Sequence, residues 1–161
     1  MTLTIRIAQA GDEALILHLV KALATYEREP DAVLATEESI RASLFVPNAL
    51  VHAFIAELDG RPVGLALWFL TFSTWTGRPS LYLEDLFVEE DVRGQGVARA
   101  MFRRLAQEAK ARNCARIDWA VLDWNVDAMA FYRRLGGAQQ TGWQPWRLHG
   151  EALDRLAAEP D

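Results

Sequence analysis

The chain has 161 residues and a formal net charge of −5, and hydrophobic residues make up 51% of it. This length and composition are typical of an ordinary globular protein, and we expect residues 1–161 to form a single domain. The negative charge disfavours a broad surface for nucleic acid or anionic membranes, and no apolar run reaches the roughly 18 residues that a membrane span requires. A single cysteine excludes an internal disulfide framework. Together with an N-terminus that lacks the features of a signal peptide, it favours the cytoplasm.

The predicted elements alternate between strands and helices along the whole chain. In order, they are a strand at 4–8, two helices between residues 12 and 47, strands at 51–58, 61–72 and 81–88, a helix at 95–112, a strand at 117–122, a helix at 126–135, one or two strands within 139–149, and a helix at 151–158. A strand–helix–strand crossover of this length usually joins parallel strands. The sequence therefore predicts an α/β fold with a mixed sheet and helices on both faces.

Several boundaries have a specific chemical signal. Asp12 and Thr36 are placed to cap the first two helices, because their side-chain oxygens can accept hydrogen bonds from free backbone N–H groups. The Asp59-Gly60 pair suits a tight primed turn, in which both central residues adopt positive φ angles. The hairpin from Val51 onward is therefore predicted with its two strands directly joined.

The stretch 81–104 carries the strongest functional signal. A strand holding two acids, Glu84 and Asp85, leads into residues 93–98, with the sequence Arg-Gly-Gln-Gly-Val-Ala, and then into a helix. Glycines let the backbone approach a ligand, and a helix N-terminus favours an anion. The alternative is a plain glycine turn beside a solvated basic helix face. A dinucleotide fingerprint would need a glycine where Arg99 stands, and a P-loop would need Lys followed by Ser or Thr.

Residues Arg93, Gly96 and Ala98 fill the signature of the GNAT superfamily of acyl-CoA-dependent N-acetyltransferases, which this stretch resembles. The resemblance implies the GNAT fold, with a sheet splayed by a bulge in the strand before the loop, and acetyl-CoA as co-substrate. The loop residues Arg93, Gly94, Gln95, Gly96, Val97, Ala98 and Arg99 would bind its pyrophosphate. The backbone of Leu86, Phe87 and Val88 would contact the pantetheine arm and polarise the thioester carbonyl.

The resemblance extends over nearly the whole chain, which is similar to the diamine/polyamine branch of the superfamily. This branch includes the spermidine/spermine and thialysine acetyltransferases. The segments that carry it are Tyr26-Glu27, residues 75–77, residues 82–85, Trp124-Asn125, residues 131–134 and residues 146–148. The branch implies a small cationic amine as substrate, a homodimer with active sites near the interface, and no metal. An acceptor on a protein N-terminus or lysine, and a non-catalytic CoA-binding module, remain as alternatives.

Glu84 and Asp85 are consecutive, so on a regular strand they face opposite sides unless a bulge redirects them. Their alternative roles are a solvated strand residue and a loop cap. A catalytic role follows from the reaction, because an alkyl ammonium with a pKa of about 10 must lose a proton before it attacks a thioester. By resemblance, Glu84 is the general base and Asp85 a substrate-binding acid.

The remaining site residues come from the resemblance. Tyr132 would be the general acid that protonates the departing thiolate, although a solvated tyrosine on a helix boundary is the alternative. Asn125 and Arg134 would contact the cofactor, although Asn125 could instead cap the helix that follows it and Arg134 could favour the C-terminus of that helix. Tyr26, Glu27, Trp75 and Trp146 would bind the amine, for which acids and aromatic faces suit a dication. The three histidines are too scattered for a metal site, and Cys114 suits an apolar filler better than a nucleophile.

Overall fold

The computed structural model describes residues 1–160, which form two compact units, residues 1–125 and the residues from Val126 onward. The first unit contains β1 (Leu3–Ile7), α1 (Glu13–Tyr26), α2 (Glu37–Leu44), β2 (Val51–Leu58), β3 (Arg61–Ser73), β4 (Arg78–Val88), a 3-10 turn (Glu90–Val92), α3 (Val97–Ala111) and β5 (Ile117–Trp119). The second contains α4 (Val126–Arg134) and α5 (Gly150–Ala157). No helix within residues 1–160 is long and apolar enough to cross a membrane.

The five strands form one sheet in the order β1-β2-β3-β4-β5. The pairs from β1 to β4 are antiparallel, and β5 joins β4 in parallel after the α3 crossover. This confirms the predicted mixed α/β sheet. The turn between β2 and β3 is also confirmed, because Asp59 and Gly60 have φ angles of 51° and 81°.

Helices cover both faces of this sheet. On one face, Ile55, Leu65 and Phe87 form a core with Ile16 and Leu19 of α1, to which α2 also contributes. On the other face α3 packs against the sheet. There the Arg104 guanidinium lies 4.6 Å from the Phe54 ring and the Met101 sulfur lies near Gly64. Burying apolar side chains on both faces is the main stabilising term for a sheet of this kind.

The N-terminal caps of the first two helices differ. Thr36 and Ser39 form a reciprocal capping box at α2, as the sequence predicts. Asp12 occupies the cap position of α1, but its side chain accepts no hydrogen bond from the N–H groups of the helix, so the predicted side-chain cap is wrong. Its carboxylate instead accepts two hydrogen bonds from the Arg6 guanidinium, of 2.7 and 2.9 Å, and one from the Gln9 backbone. The ion pair with Arg6 holds the pKa of Asp12 below its usual value.

A β-bulge interrupts β4 at Glu84. Asp85 pairs with Leu67, but the next β3 residue, Trp68, pairs with Leu83, so Glu84 has no partner on β3. Side chains alternate along a strand, so the extra residue moves Asp85 to the face of Leu67, which is the face that α1 covers. β5 pairs with β4 only from Leu81 to Leu83, and the two strands separate where the bulge begins.

Two strand predictions are wrong in part. β5 ends at Trp119 rather than at residue 122, because β4 turns away at the bulge and offers no ladder beyond Leu83. Residues 139–149 form no strand, and the element order ends with two helices. Gly142 has a φ angle of 91° and Pro145 lacks an N–H donor, so both interrupt strand geometry. The predicted helix at 151–158 is confirmed as α5.

Candidate active site

Three acids meet where the end of α1 lies against β4, and we call Glu27, Glu84 and Asp85 the acidic trio. Burial, followed by the negative charges of Glu84 and Glu27, raises the pKa of Asp85 to about 6. Burial also raises the pKa of Glu27. A carboxyl group that is desolvated beside other carboxylates favours a bound cation, which would neutralise the cluster. The trio therefore suits an ammonium ligand.

Beside the trio lies the arginine–aromatic stack, in which two adjacent rings lie between two guanidinium groups, in the order Arg28, Trp124, Tyr26 and Arg93. The Arg28 guanidinium carbon lies 4.2 Å from the Trp124 ring centroid, and that of Arg93 lies 4.6 Å from the Tyr26 centroid. The Trp124 and Tyr26 rings are 6.1 Å apart at a tilted angle. These distances are within the range of cation–π and aromatic contacts.

Hydrogen bonds connect the stack to the backbone around it. The Arg93 Nε donates to the Val88 carbonyl oxygen at 3.0 Å, and the Tyr26 hydroxyl donates to Asn125 Oδ1 at 3.3 Å. The end of α1, the loop before α3 and the segment after β5 therefore share one set of contacts. Two of the predicted substrate residues, Tyr26 and Glu27, lie beside a predicted cofactor residue, Arg93.

The glycine loop before α3 has the geometry of an open backbone cradle. Gly94 and Gly96 have φ angles of 78° and 86°, which favour glycine, and a Cβ at either would meet no atom within 4 Å. Gly96 is the N-cap of α3 and supplies no side-chain cap, so the first N–H groups of the helix keep their hydrogen-bonding capacity. This arrangement fits an anionic group, as the sequence predicts.

The gap between β4 and β5 begins at the bulge, because the pairing of the two strands ends at Leu83. Leu86, Phe87 and Val88 pair with β3 on one side only, because β5 has already separated from β4. Their second backbone edge therefore faces the gap. An extended chain with amide groups, such as the pantetheine arm of CoA, matches an open strand edge of this kind.

Trp75 lies apart from these residues, and Tyr132, Arg134 and Trp146 belong to the second unit. Trp75 is at the far tip of the β3–β4 hairpin and is 87% exposed. About seven strand residues separate the tip from the acidic trio, which corresponds to roughly 20 Å along β4. In the second unit, Tyr132 and Arg134 lie in the last turns of α4, where the Tyr132 ring is 5.5 Å from that of Phe131. Trp146 is 92% exposed.

Arg28 and Trp124 were not predicted as site residues. Trp124 occurs in one of the segments that carry the resemblance, but nothing in its spacing indicates a ring packed between Arg28 and Tyr26. Arg28 had one local signal: it follows Glu27, the C-cap of α1, at a position where glycine is usual, and it has a φ of 67°. An arginine at a position that favours glycine indicates a role for its side chain.

The acetyltransferase (GNAT) family model matches residues 16–137, which covers the glycine loop, the bulged strand and α4. The chain belongs to the GNAT family of acetyltransferases. It is 39% identical to the thialysine N-epsilon-acetyltransferase of Sus scrofa over 96% of its own length and 97% of that protein. It is 33% identical to the human spermidine/spermine N(1)-acetyltransferase-like protein 1, of which it covers 24%.

A solved structure shows the same fold. An integron cassette protein from the mobile metagenome of V. cholerae superposes with a TM-score of 0.82, at 24% identity and over 99% of both chains. The family match and the thialysine acetyltransferase relative show that the chain is an acetyl-CoA-dependent N-acetyltransferase, and the solved structure shows the fold. Residues 1–160 contain no group of three or more His, Cys, Asp or Glu side chains that is arranged to hold a metal ion.

Proposed function

We propose that this GNAT enzyme transfers the acetyl group of acetyl-CoA to a primary amine of a small cationic metabolite. The acceptor is a diamine, a polyamine or a lysine-like amino acid. The acidic trio carries this proposal, because Asp85 is desolvated by burial and lies near the negative charges of Glu84 and Glu27, and a cationic substrate would neutralise this cluster. The printed names of the relatives, thialysine and spermidine/spermine acetyltransferases, support the same class of acceptor.

The donor would bind along the loop and the open edge of β4. The N–H groups from Gly94 to Arg99 would hold its pyrophosphate, and the free edge from Leu86 to Val88 would hold its pantetheine arm. Asn125 and Arg134 would add further contacts to the cofactor. The cradle at Gly94 and Gly96 fits this role because no atom occupies the space above either Cα.

Glu84 is proposed as the general base and Tyr132 as the general acid. The substrate ammonium gives its proton to the carboxylate, directly or through water, and the free amine forms a bond to the acetyl carbon. The carbon–sulfur bond breaks, and the leaving thiolate takes a proton from the Tyr132 hydroxyl. The attacking nitrogen loses its second proton as the amide forms, and this proton restores the Tyr132 hydroxyl through solvent. No acyl-enzyme is needed, since Cys114 is buried and burial raises the pKa of its thiol.

Asp85 is the second candidate for the base. Its pKa of about 6 is closer to neutral pH than that of an ordinary carboxyl group, and a base works best when its pKa is near the operating pH. If Asp85 were the base, Asp85→Asn would lower kcat with any amine. If it holds the ammonium, as we propose, Asp85→Asn would mainly raise KM for the amine, and Glu84→Gln would lower kcat.

We propose a homodimer as the working form, acting in the cytoplasm. Trp143 and Trp146 are 76% and 92% exposed, and aromatic side chains exposed on one segment are typical of protein interfaces. Trp75 would then contribute to the amine-binding site of the partner subunit rather than to that of its own subunit. A monomer in sedimentation at micromolar concentration would remove this part of the proposal.

The family model crosses residue 125, which supports one catalytic domain.

A thiol-release assay with acetyl-CoA tests the proposed function. Spermidine, putrescine, L-lysine and L-ornithine would be compared with a peptide that has a free N-terminus and an internal lysine. Release of CoA with one or more of the small amines and none with the peptide is the expected result. Release only with the peptide would indicate a protein acetyltransferase. Binding of acetyl-CoA without release in any reaction would indicate a CoA-binding module.

A further inference from the structure

Arg28 is the cation closest in sequence to the acidic trio, since it directly follows Glu27. Its position is the αL residue after α1. The Glu29 N–H donates to the Ala24 carbonyl at 2.9 Å and the Arg28 N–H to that of Thr25 at 3.1 Å, which is a Schellman end. Glycine is preferred at this position because a Cβ is strained at a φ of 67°. The backbone alone therefore does not account for an arginine here.

The guanidinium of Arg28 is held in place without being neutralised. Its face lies 4.2 Å from the centroid of Trp124, so its edge N–H groups point away from the ring face. Arg28 is exposed, and it takes part in no ion pair with an acid among residues 1–160. A planar guanidinium with free edge donors can bind a carboxylate through two parallel hydrogen bonds.

The second guanidinium of the stack, Arg93, is already engaged. Its Nε donates to the Val88 carbonyl oxygen, and its face covers the Tyr26 ring. The acidic trio would repel any acceptor that carries a carboxylate unless a cation lies beside it. Arg28 supplies that positive charge at the same end of α1, next to Glu27.

We propose that Arg28 is a specificity-determining residue that binds the α-carboxylate of an amino-acid acceptor, whose side-chain ammonium lies in the acidic trio. The inference rests on the proposed function and narrows it. A zwitterionic acceptor with one carboxylate and a distant amine is favoured over a polyamine, which has only cationic groups. The carboxylate of such a substrate would face Arg28, and its side-chain ammonium would face the acidic trio.

L-Lysine and L-lysinamide test this directly, because they have the same size and side chain and differ only in the carboxylate. We expect wild-type kcat/KM to be higher for L-lysine than for L-lysinamide. Arg28→Gly should lower the ratio of these two values by roughly 10-fold to 100-fold, the range of a charge-assisted hydrogen bond. Glycine suits the αL position, so Arg28→Gly should keep the thermal transition of the wild type.

Two further variants separate the effect of a positive charge at position 28 from other effects on the lysine-to-lysinamide ratio. Arg28→Lys keeps the charge but not the planar fork, and we expect it to retain part of the preference for L-lysine. Lys21→Gln removes an exposed cation earlier on α1 and should leave the lysine-to-lysinamide ratio unchanged. If Arg28 served only to hold Trp124, Arg28→Gly would lower both kcat/KM values by the same factor.

The outcomes are distinct for the two levels of the proposal. Turnover of L-lysine with an Arg28-dependent ratio supports the inference. Turnover of polyamines without L-lysine, or a ratio that Arg28→Gly does not change, overturns the inference but leaves the proposed function in place. Absence of CoA release with every amine overturns both.

Discussion

The guanidinium of Arg93 lies over the ring of Tyr26, 4.6 Å from its centroid, and its Nε donates a 3.0 Å hydrogen bond to the Val88 carbonyl. One side chain thus connects α1, the end of β4 and the loop before α3. Arg93 is also the first residue of the family signature in this chain. It positions the end of β4, which we propose to bind acetyl-CoA, relative to the end of α1, which we propose to bind the amine.

Replacing Arg93 should therefore affect both stability and binding. We expect Arg93→Lys to lower the free energy of unfolding by about 1–2 kcal/mol, because an ammonium does not reproduce the stack and the hydrogen bond together. KM for acetyl-CoA and for the amine should both rise. Urea denaturation and initial-rate kinetics measure the two effects.

Tyr26→Phe is the matched control for this contact. It keeps the ring under Arg93 and removes only the 3.3 Å hydrogen bond to Asn125, which is exposed. Its cost should stay below about 1 kcal/mol. A larger loss for Tyr26→Phe than for Arg93→Lys would contradict the assigned role of the stack.

Glu27 is expected to set part of the pH dependence through Asp85. Burial and the charges of Glu84 and Glu27 raise the pKa of Asp85 to about 6. The profile of kcat/KM, which reports the free enzyme, should therefore rise with pH through about 6. Glu27→Gln removes one of the negative charges, so the rising limb should move to lower pH. An unchanged limb would show that Asp85 and Glu27 do not interact.

The same pKa shift has a consequence for stability. The folded-state pKa of Asp85 lies above its usual value of 3.8, so ionising the group costs more in the folded chain than in the unfolded one. The contribution of Asp85 to stability should therefore fall as the pH rises from about 4 through 6. Asp85→Asn should be more stable than wild type by about 1–3 kcal/mol at pH 8, and this gain should disappear near pH 4. Denaturant titrations at both pH values check the sign.

Deletion of Glu84 separates the shape of β4 from its chemistry. The flanking residues Leu83 and Asp85 pair with the neighbouring residues Trp68 and Leu67, so removing Glu84 leaves a regular ladder on both sides. The deletion should fold and should bind acetyl-CoA at least tenfold more weakly, since the bulge marks where β4 leaves β5. Glu84→Gln keeps the bulge and should retain acetyl-CoA affinity while it loses turnover. Equal acetyl-CoA affinities of the deletion variant and the wild type, measured by calorimetry, would show that the bulge is not needed to bind acetyl-CoA.

Gly64 allows β3 to approach β4 closely. A Cβ at this position would lie 3.0 Å from the Phe87 carbonyl oxygen and 3.2 Å from the Met101 sulfur. A backbone oxygen cannot move aside as a flexible side chain can, so Gly64→Ala should destabilise the chain by about 1–3 kcal/mol. It should also raise KM for acetyl-CoA by displacing β4. A thermal transition equal to that of wild type would contradict this.

Much of the first unit follows from local signals. The Asp59-Gly60 turn, the Thr36 cap and the glycines before α3 each fix a backbone conformation through their own chemistry. The role of Asp12 was less local. Its carboxylate forms an ion pair with Arg6, a residue on β1 that the spacing of polar residues does not identify as a partner.

Other features depend on relationships between distant residues. The unpaired position of Glu84, and with it the face that Asp85 occupies, depends on the register between β3 and β4, which periodicity does not reveal. The stack of Arg28 on Trp124 joins residues about a hundred positions apart. Residues 139–149 have strand-like composition, but a strand also needs a paired edge, and composition does not supply one.

The most direct test of the proposed acetyl transfer is to identify the product by mass spectrometry. The enzyme would be incubated with acetyl-CoA and an equimolar mixture of L-lysine, spermidine and a lysine-containing peptide. We predict one added acetyl group on the primary amine of a small molecule, none on the peptide, and loss of the product with Glu84→Gln. Acetylated peptide alone, or free acetate in place of an acetylated amine, would contradict the proposed function.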